Sequence, residues 1–475
     1  MKAVLIIFVY SVVILATNAD GSPRKHSNKT NICMQCMCLT LQPYTVDCMN
    51  ARYEELPPLT MNITYPWKLQ LTHNKIRHIP QFPLLHNLIK LDLGRNGIKN
   101  IDEAAFANLY DLKGLVLAYN NLSAEILETH VFKGTNMLQP LGLEELDLSY
   151  NNLHSLEGHT LQYLPNLTKL HINNNPIHDI PYDMATAINT LENLEELDLS
   201  QCNLDRLPYH FLTDLRKLRK LTLAGNKLSI VPAEVNYAHS LTYLNLNGNP
   251  ITTIMKGDFS EALRNVQELE LSGMPVLRSV GPEAFSSLDH LAVLKMCDNP
   301  KLRSINMYAF TFFDLNRQLQ EIYLQSNALT TLAEDMLPWT TLKVVDLQNN
   351  PWSCDCKLRW LAEDLIPLIE RTNPSKTLSL ICAEPDTDRG HKLTNIVGKP
   401  NAFSCDPPYI PKYTIYSPVA IAIIAVGITL MITSAIIFAY TLYRRTKVKS
   451  LLGETVRYRR AHSIDEDGYD EIVES

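Results

Sequence analysis

The chain has 475 residues, 46% of them apolar and 20% charged, with a formal charge of −7 at pH 7. The apolar content excludes a wholly disordered protein, and the acidic balance argues against a dedicated nucleic-acid binder. At ~150 residues per domain the length fits several domains or one long repeat array. The ten cysteines are uneven, with four at 33–48 and four at 354–405, which points to two stapled ends around a cysteine-poor middle.

Met1-Lys2 precedes an apolar run from Ala3 to Ala16, followed by the small and polar residues up to Ala19. A basic start, an apolar core of this length and small residues before a polar break predict a secretory signal over 1–19, cleaved after Ala19. A short segment, 20–32, leads into Cys33, Cys36, Cys38 and Cys48.

From there the unit L-x-x-L-x-L-x-x-N-x-L recurs, as in Leu88 to Asn96, Leu143 to Asn151 and Leu241 to Asn249. The repeat asparagines are Asn74, Asn96, Asn120, Asn151, Asn175, Asn226, Asn249, Asn299, Asn327 and Asn350. Cys202 and Met274 stand at the same position in two further units. These twelve positions lie about 25 residues apart on average, inside the ~20–29 window of leucine-rich repeats. Side chains alternate along a strand, so the two leucines of L-x-L point inward from a short strand, one strand per repeat. The asparagine turns the chain, and its amide must bond backbone groups of neighbouring turns. Cys202 fits the slot as a small thiol, whereas Met274 supplies no amide and predicts a weaker link. Phenylalanines such as Phe106 and Phe285 are expected to fill the returning arc. The spacing stretches before Asn151, so Ser123 to Gly142 should hold an inserted loop.

The most specific signal follows: Asn350-Pro-Trp-Ser-Cys354-Asp-Cys356, then Cys382-Ala-Glu-Pro385, Gly390, Leu393 and Cys405. With the cysteines at 33–48 it resembles the caps of the extracellular leucine-rich-repeat, single-pass (type I) transmembrane protein family. The resemblance covers roughly residues 33–405. It implies an α/β solenoid, a horseshoe with a parallel concave sheet capped at both ends. It also implies the pairs Cys33–Cys38, Cys36–Cys48, Cys354–Cys382 and Cys356–Cys405. The expected organisation is an N-terminal cap over 33–58, about twelve repeats over 59–350 and a C-terminal cap over 351–406. Cys202 and Cys297 are left over and are expected to be free thiols, open to alkylation only on unfolding. No glycine-rich phosphate loop, nucleophile elbow, paired acids or metal-spaced histidines occur, so neither an enzyme nor a cofactor is expected.

After a linker at 407–418, Val419 to Tyr440 holds 22 residues without a charge, long enough as a helix to cross a ~30 Å hydrocarbon core. Arg444, Arg445, Lys447 and Lys449 follow, which predicts a plasma-membrane protein with its N-terminus outside. The tail, 441–475, divides into a basic half suited to anionic lipid and an acidic half containing Tyr469-Asp-Glu-Ile472. That string fits a tyrosine-based sorting signal or, once phosphorylated, an SH2 ligand. Ser463, after Arg459-Arg460, is a weaker candidate for a basophilic kinase.

These features predict a cell-surface recognition protein, an adhesion molecule or receptor that binds a protein ligand and carries no signalling domain of its own. The alternative is an auxiliary subunit that modulates a channel or receptor in the same membrane. The sequons Asn28, Asn62, Asn121 and Asn166 all fall early in the chain, and the repeats from Leu194 to Asn350 carry none. A glycan keeps a protein partner at a distance, so the ligand is expected on the concave face of repeats six to twelve. Tyr243, Asn245, Glu268, Glu270 and Tyr323 face outward there by strand alternation. The tail yields one test. If Tyr469 serves sorting, Tyr469→Ala raises surface level and slows uptake, and Tyr469→Phe does nearly the same. If it is phosphorylated, phosphatase inhibition creates SH2 binding that both substitutions abolish.

Overall fold

The computed structural model describes residues 32–39, 43–59, 63–128, 130–134, 141–310, 319–399, 402–403 and 425–445. The expected signal, the sequons Asn28 and Asn62, Cys405 and the tail residues Ser463, Tyr469 and Ile472 lie outside that range. Two units separate, one ending at Phe403 and one beginning at Ser404.

The first unit is a solenoid built on a fourteen-stranded sheet. In the N-terminal cap, β1 (Met37–Leu39) pairs antiparallel with β2 (Tyr44–Asp47), and β2 pairs parallel with the first repeat strand. The repeats then add β3 (Trp67–Gln70), β4 (Leu88–Asp92), β5 (Gly114–Val116), β6 (Glu145–Asp147), β7 (Lys169–His171) and β8 (Glu196–Asp198). They continue as β9 (Lys220–Thr222), β10 (Tyr243–Asn245), β11 (Glu268–Glu270), β12 (Val293–Lys295), β13 (Glu321–Tyr323) and β14 (Val344–Asp346). From β2 onward every neighbour is parallel. In most strands the middle residue, such as Leu170, Leu197 or Leu244, is fully buried while its two neighbours are not. A single turn therefore has no interior of its own and buries its leucines only against adjacent turns.

The opposite side of the core is filled by rings. Phe82, Phe106 and Phe132 stack with centroids 5.9 and 6.3 Å apart, and Phe259, Phe285 and Phe310 at 6.2 and 5.1 Å. The segment expected to be a plain inserted loop departs from that reading. Ala124–Glu128 forms a helical turn with Leu127 buried, and Phe132 still reaches the stack. Burial of Leu127 and Phe132 offsets the longer excursion of the chain.

Asparagines tie each turn to the one before. Asn249 is fully buried, its Nδ2 donating to the carbonyls of Leu223 and Leu246 (both 2.9 Å) and its Oδ1 accepting from Leu228 N at 3.1 Å. Asn74 carries the same pattern into the cap, donating to Cys48 O and accepting from Tyr53 N. Asn96, Asn120 and Asn151 are only half-buried yet make equivalent bonds. At Cys202 the thiol sits 3.4 Å from Ile172 O but offers no carboxamide oxygen. The Ile177 N–H, which by the pattern would reach that oxygen, bonds Asn175 O instead. Met274 fills its slot with buried thioether.

Just before each of these positions the backbone turns left-handed. Residues 73, 95, 119, 150, 174, 201, 225, 248, 273, 298, 326 and 349 have φ between 51° and 70°. Glycine holds three consecutive places, and at Gly225 the space for a Cβ is taken by the Gln201 amide.

Cysteines close the ends. Disulfides join Cys33 to Cys38, Cys36 to Cys48 and Cys354 to Cys382, and Cys356 is also disulfide-bonded. Trp352 lies fully buried against the last leucine layer, its indole N–H donating to Leu347 O. Helical segments over Leu361–Leu365 and Ile366–Thr372 cover the end of the core.

In the second unit Ala425–Arg445 is a helix long and apolar enough to cross a membrane. It runs five residues past the expected end at Tyr440, because nothing between Thr441 and Arg445 interrupts helical hydrogen bonding.

The ladder makes a stability prediction. Asn249→Ala leaves buried carbonyls and an N–H without partners and should cost about 2–3 kcal/mol. Cys202→Asn supplies the missing oxygen to Ile177 and should gain about 1 kcal/mol. Thermal unfolding midpoints should fall for the first and rise for the second.

Candidate functional site

The outward positions of the strands form two rows with a fixed register. One runs Glu145, Lys169, Glu196, Lys220, Tyr243, Glu268, Val293, Glu321, Val344. The other runs Asp147, His171, Asp198, Thr222, Asn245, Glu270, Lys295, Tyr323, Asp346. Neighbouring strands lie ~4.8 Å apart, so opposite charges on adjacent turns meet. Lys169 Nζ is 2.7 Å from Glu145 Oε1, and Lys220 Nζ is 2.7 Å from Glu196 Oε1. The Lys169 ammonium holds the Glu145 carboxyl below its ordinary range. At Glu196 burial pushes the other way, but the Lys220 bond prevails and the net shift is downward.

In the second half the pattern changes from alternating pairs to one cluster. Lys295 on β12 binds Glu268 and Glu270, both on β11. Partial burial opposes its charge, yet the two carboxylates overcome this and hold the ammonium above the usual lysine range. Tyr243 stands beside Glu268 on one side of this triad, and Tyr323 beside Lys295 on the other. Burial, with Glu270 nearby, pushes the Tyr243 phenol up to about 12. Burial and the bond to Glu321, 2.9 Å away, do the same for Tyr323. Both rings are neutral at physiological pH and keep a hydroxyl for hydrogen bonding. Asn245 donates to the Tyr243 hydroxyl at 3.2 Å, and Asn247 donates to Glu270 at 2.7 Å. Of the five face residues read from the sequence, Glu268 and Glu270 bind Lys295, Tyr323 is its register neighbour, and Tyr243 and Asn245 lie one strand beyond the two carboxylates.

Alternation did not reveal every member of the cluster. Lys376 reaches back from the C-terminal cap to Asp346 at 2.7 Å and lies over the Tyr323 ring, 5.6 Å from its centroid. It comes from 30 residues further along the chain, and no local pattern marks it. In the first half, Arg95 lies 3.7 Å over Tyr119, which stacks on Tyr150 at 3.8 Å. All three sit in the left-handed row.

The sequon residues Asn121 and Asn166 are both exposed. Asn121 follows the end of β5 and Asn166 precedes the start of β7, so they flank the early turns at opposite strand ends. Cys202 is buried and its thiol is pushed up to about 12 by that burial. Cys297 is the less enclosed of the two cysteines expected to be free. It lies just beyond the end of β12, half-buried, its sulfur 3.2 Å from Ser272 Oγ.

Family models agree with the geometry. The model described as "Leucine rich repeat" matches residues 68–122, 86–145, 165–228 and 192–251. "Leucine Rich repeats (2 copies)" matches 142–184, and "BspA type Leucine rich repeat region (6 copies)" matches 229–353. Together they run without a gap from 68 to 353. The chain is a leucine-rich-repeat protein. Rat (Rattus norvegicus) osteomodulin is 27% identical over 247 residues, 46% of this chain and 55% of osteomodulin. Chicken (Gallus gallus) Tsukushi is 32% identical over 184 residues, 38% of this chain and 47% of Tsukushi. The chain thus spans about half the length of these relatives. A solved leucine-rich-repeat protein of Leptospira interrogans is 25% identical with a TM-score of 0.41, over 60% of this leucine-rich-repeat chain and 79% of that one.

Thiol labelling checks this placement of the two cysteines. Iodoacetamide should modify Cys297 in the folded protein, faster as pH rises because burial raises its thiol pKa. Cys202 should label only in denaturant.

Proposed function

We propose that this leucine-rich-repeat chain is a single-pass plasma-membrane protein, N-terminus outside, that recognises a protein ligand on its concave sheet. Ala425–Arg445 would be the anchor, with Arg444 and Arg445 on the cytoplasmic side. The ligand surface is the stretch from β8 to β14. Seven strands ~4.8 Å apart span roughly 29 Å, enough for a patch of ~800 Å² per partner.

The observation that carries this reading is the group of Tyr243, Glu268, Glu270, Lys295 and Tyr323. Half-buried tyrosines held by charged neighbours give large contact area at little loss of side-chain freedom, as interface centres do. The carboxylates outnumber the lysine, so the patch favours a basic partner surface. The early turns are flanked by Asn121 and Asn166, where attached glycans would keep a partner away. Adhesion, receptor and co-receptor roles are all compatible with this surface.

A glycan placed on the face tests the proposal. Lys220→Asn makes a sequon with the native Thr222, on the strand next to Tyr243. It leaves Asn247 in place, whose side chain binds Glu270 and caps Ser272. Lys220→Gln removes the same charge without a glycan. Cells bearing each form are screened against a panel of tagged extracellular proteins. The surface is supported if Lys220→Asn abolishes the leading interaction at normal surface level while Lys220→Gln weakens it less than about tenfold. Equal binding by a verified glycosylated form refutes it.

A further inference from the structure

We propose that a cavity between the last repeat and the C-terminal cap binds a branched aliphatic side chain of a protein partner, with an adjoining carboxylate at Lys343. It stands apart from the concave-face reading, since none of its lining residues holds an outward strand position. The cavity measures about 80 Å³ and is walled by Trp339, Leu342, Val345, Leu365, Leu368 and Ile369, with Lys343, Thr372 and Asn373 among its polar lining. Where one water needs roughly 10–15 Å³ by the same measure, this is room for about six waters or one leucine-sized group.

Three of the lining donors are already engaged within the chain. The Trp339 indole N–H donates to Ala333 O at 3.2 Å, so its ring offers the cavity carbon rather than a donor. Thr372 Oγ1 donates to Leu368 O, and Asn373 Nδ2 to Lys343 O. Water inside would find few free donors among these groups, which favours an occupant that is largely apolar. Lys343 differs from the rest. Its side chain is exposed and its ammonium donates to the neutral Gln320 amide at 2.6 Å, which leaves its charge uncompensated by that contact. An apolar floor with a cation at the rim selects an aliphatic group that carries a carboxylate close by. Leu368 is only half-buried and stands at the mouth, where such a group can enter.

The test uses the full chain in lipid nanodiscs with N-trifluoroacetyl-leucine as probe, followed by the width of its fluorine resonance against empty nanodiscs. Broadening should correspond to a Kd on the order of millimolar, as suits so small a ligand. N-trifluoroacetyl-glycine should bind at least tenfold more weakly. Lys343→Gln should weaken the acid several-fold and leave the leucine amide derivative unchanged. Leu368→Glu, which sets a like charge at the mouth, should remove binding of the acid at unchanged thermal stability. Three results would overturn the proposal: no broadening with the wild-type chain, as when another segment of the chain fills the cavity; equal binding of the leucine and glycine probes; or full binding by Leu368→Glu.

Discussion

A chain that reverses direction inside a leucine core must satisfy its own backbone amides there, because an unpaired buried group costs about as much as several methylenes gain. In this protein the asparagine ladder meets that constraint. Each carboxamide donates back to the preceding turn and accepts from it, so the interior polar groups of one turn are completed by another. Turn spacing, sheet register and the placement of every outward side chain follow from that linkage. The phenylalanine stacks and disulfide caps close the sides and ends of a structure whose geometry the asparagines already impose.

The repeat, its strands and the cysteine flanks were legible because each obeys a strict local spacing. The L-x-L alternation alone placed Tyr243, Asn245, Glu268, Glu270 and Tyr323 on one face, and the structure has them outward on β10, β11 and β13. Lys376 was not legible, since its partner Asp346 belongs to another element and no pattern connects a cap residue to a strand. The helical turn at Ala124–Glu128 was missed because five residues carry too little periodicity to outweigh a reading as loop. Arg95, Tyr119 and Tyr150 were missed for a different reason. Attention fell on the asparagine, whereas the residue before it takes the left-handed conformation, and only stacking of the turns turns three such residues into one column.

Electrostatics on the face serves two ends. In the early turns, Glu145, Lys169, Glu196 and Lys220 pair across neighbouring strands, while Asp147 and Asp198 on the other row face no lysine on the adjacent strands. On β11 and β12 two carboxylates share one lysine, and Tyr243 and Tyr323 stand on the flanking strands β10 and β13. The first arrangement carries no tyrosine at its outward strand positions. The second leaves excess negative charge beside apolar ring surface, and so has more to offer a partner. Exposed ion pairs contribute only ~0.2–1 kcal/mol each, so their main effect is on geometry rather than on total stability.

The alternation from β6 to β9 also sets a rule for lengthening or shortening the array. In backbone shape the solenoid repeats every turn, but in charge it repeats every two. Deleting a single turn between Glu145 and Glu196 would bring those carboxylates face to face, whereas deleting a pair of turns would return Glu to Lys. For duplication and loss of repeats, the heritable unit in this stretch is therefore the double turn, about fifty residues long.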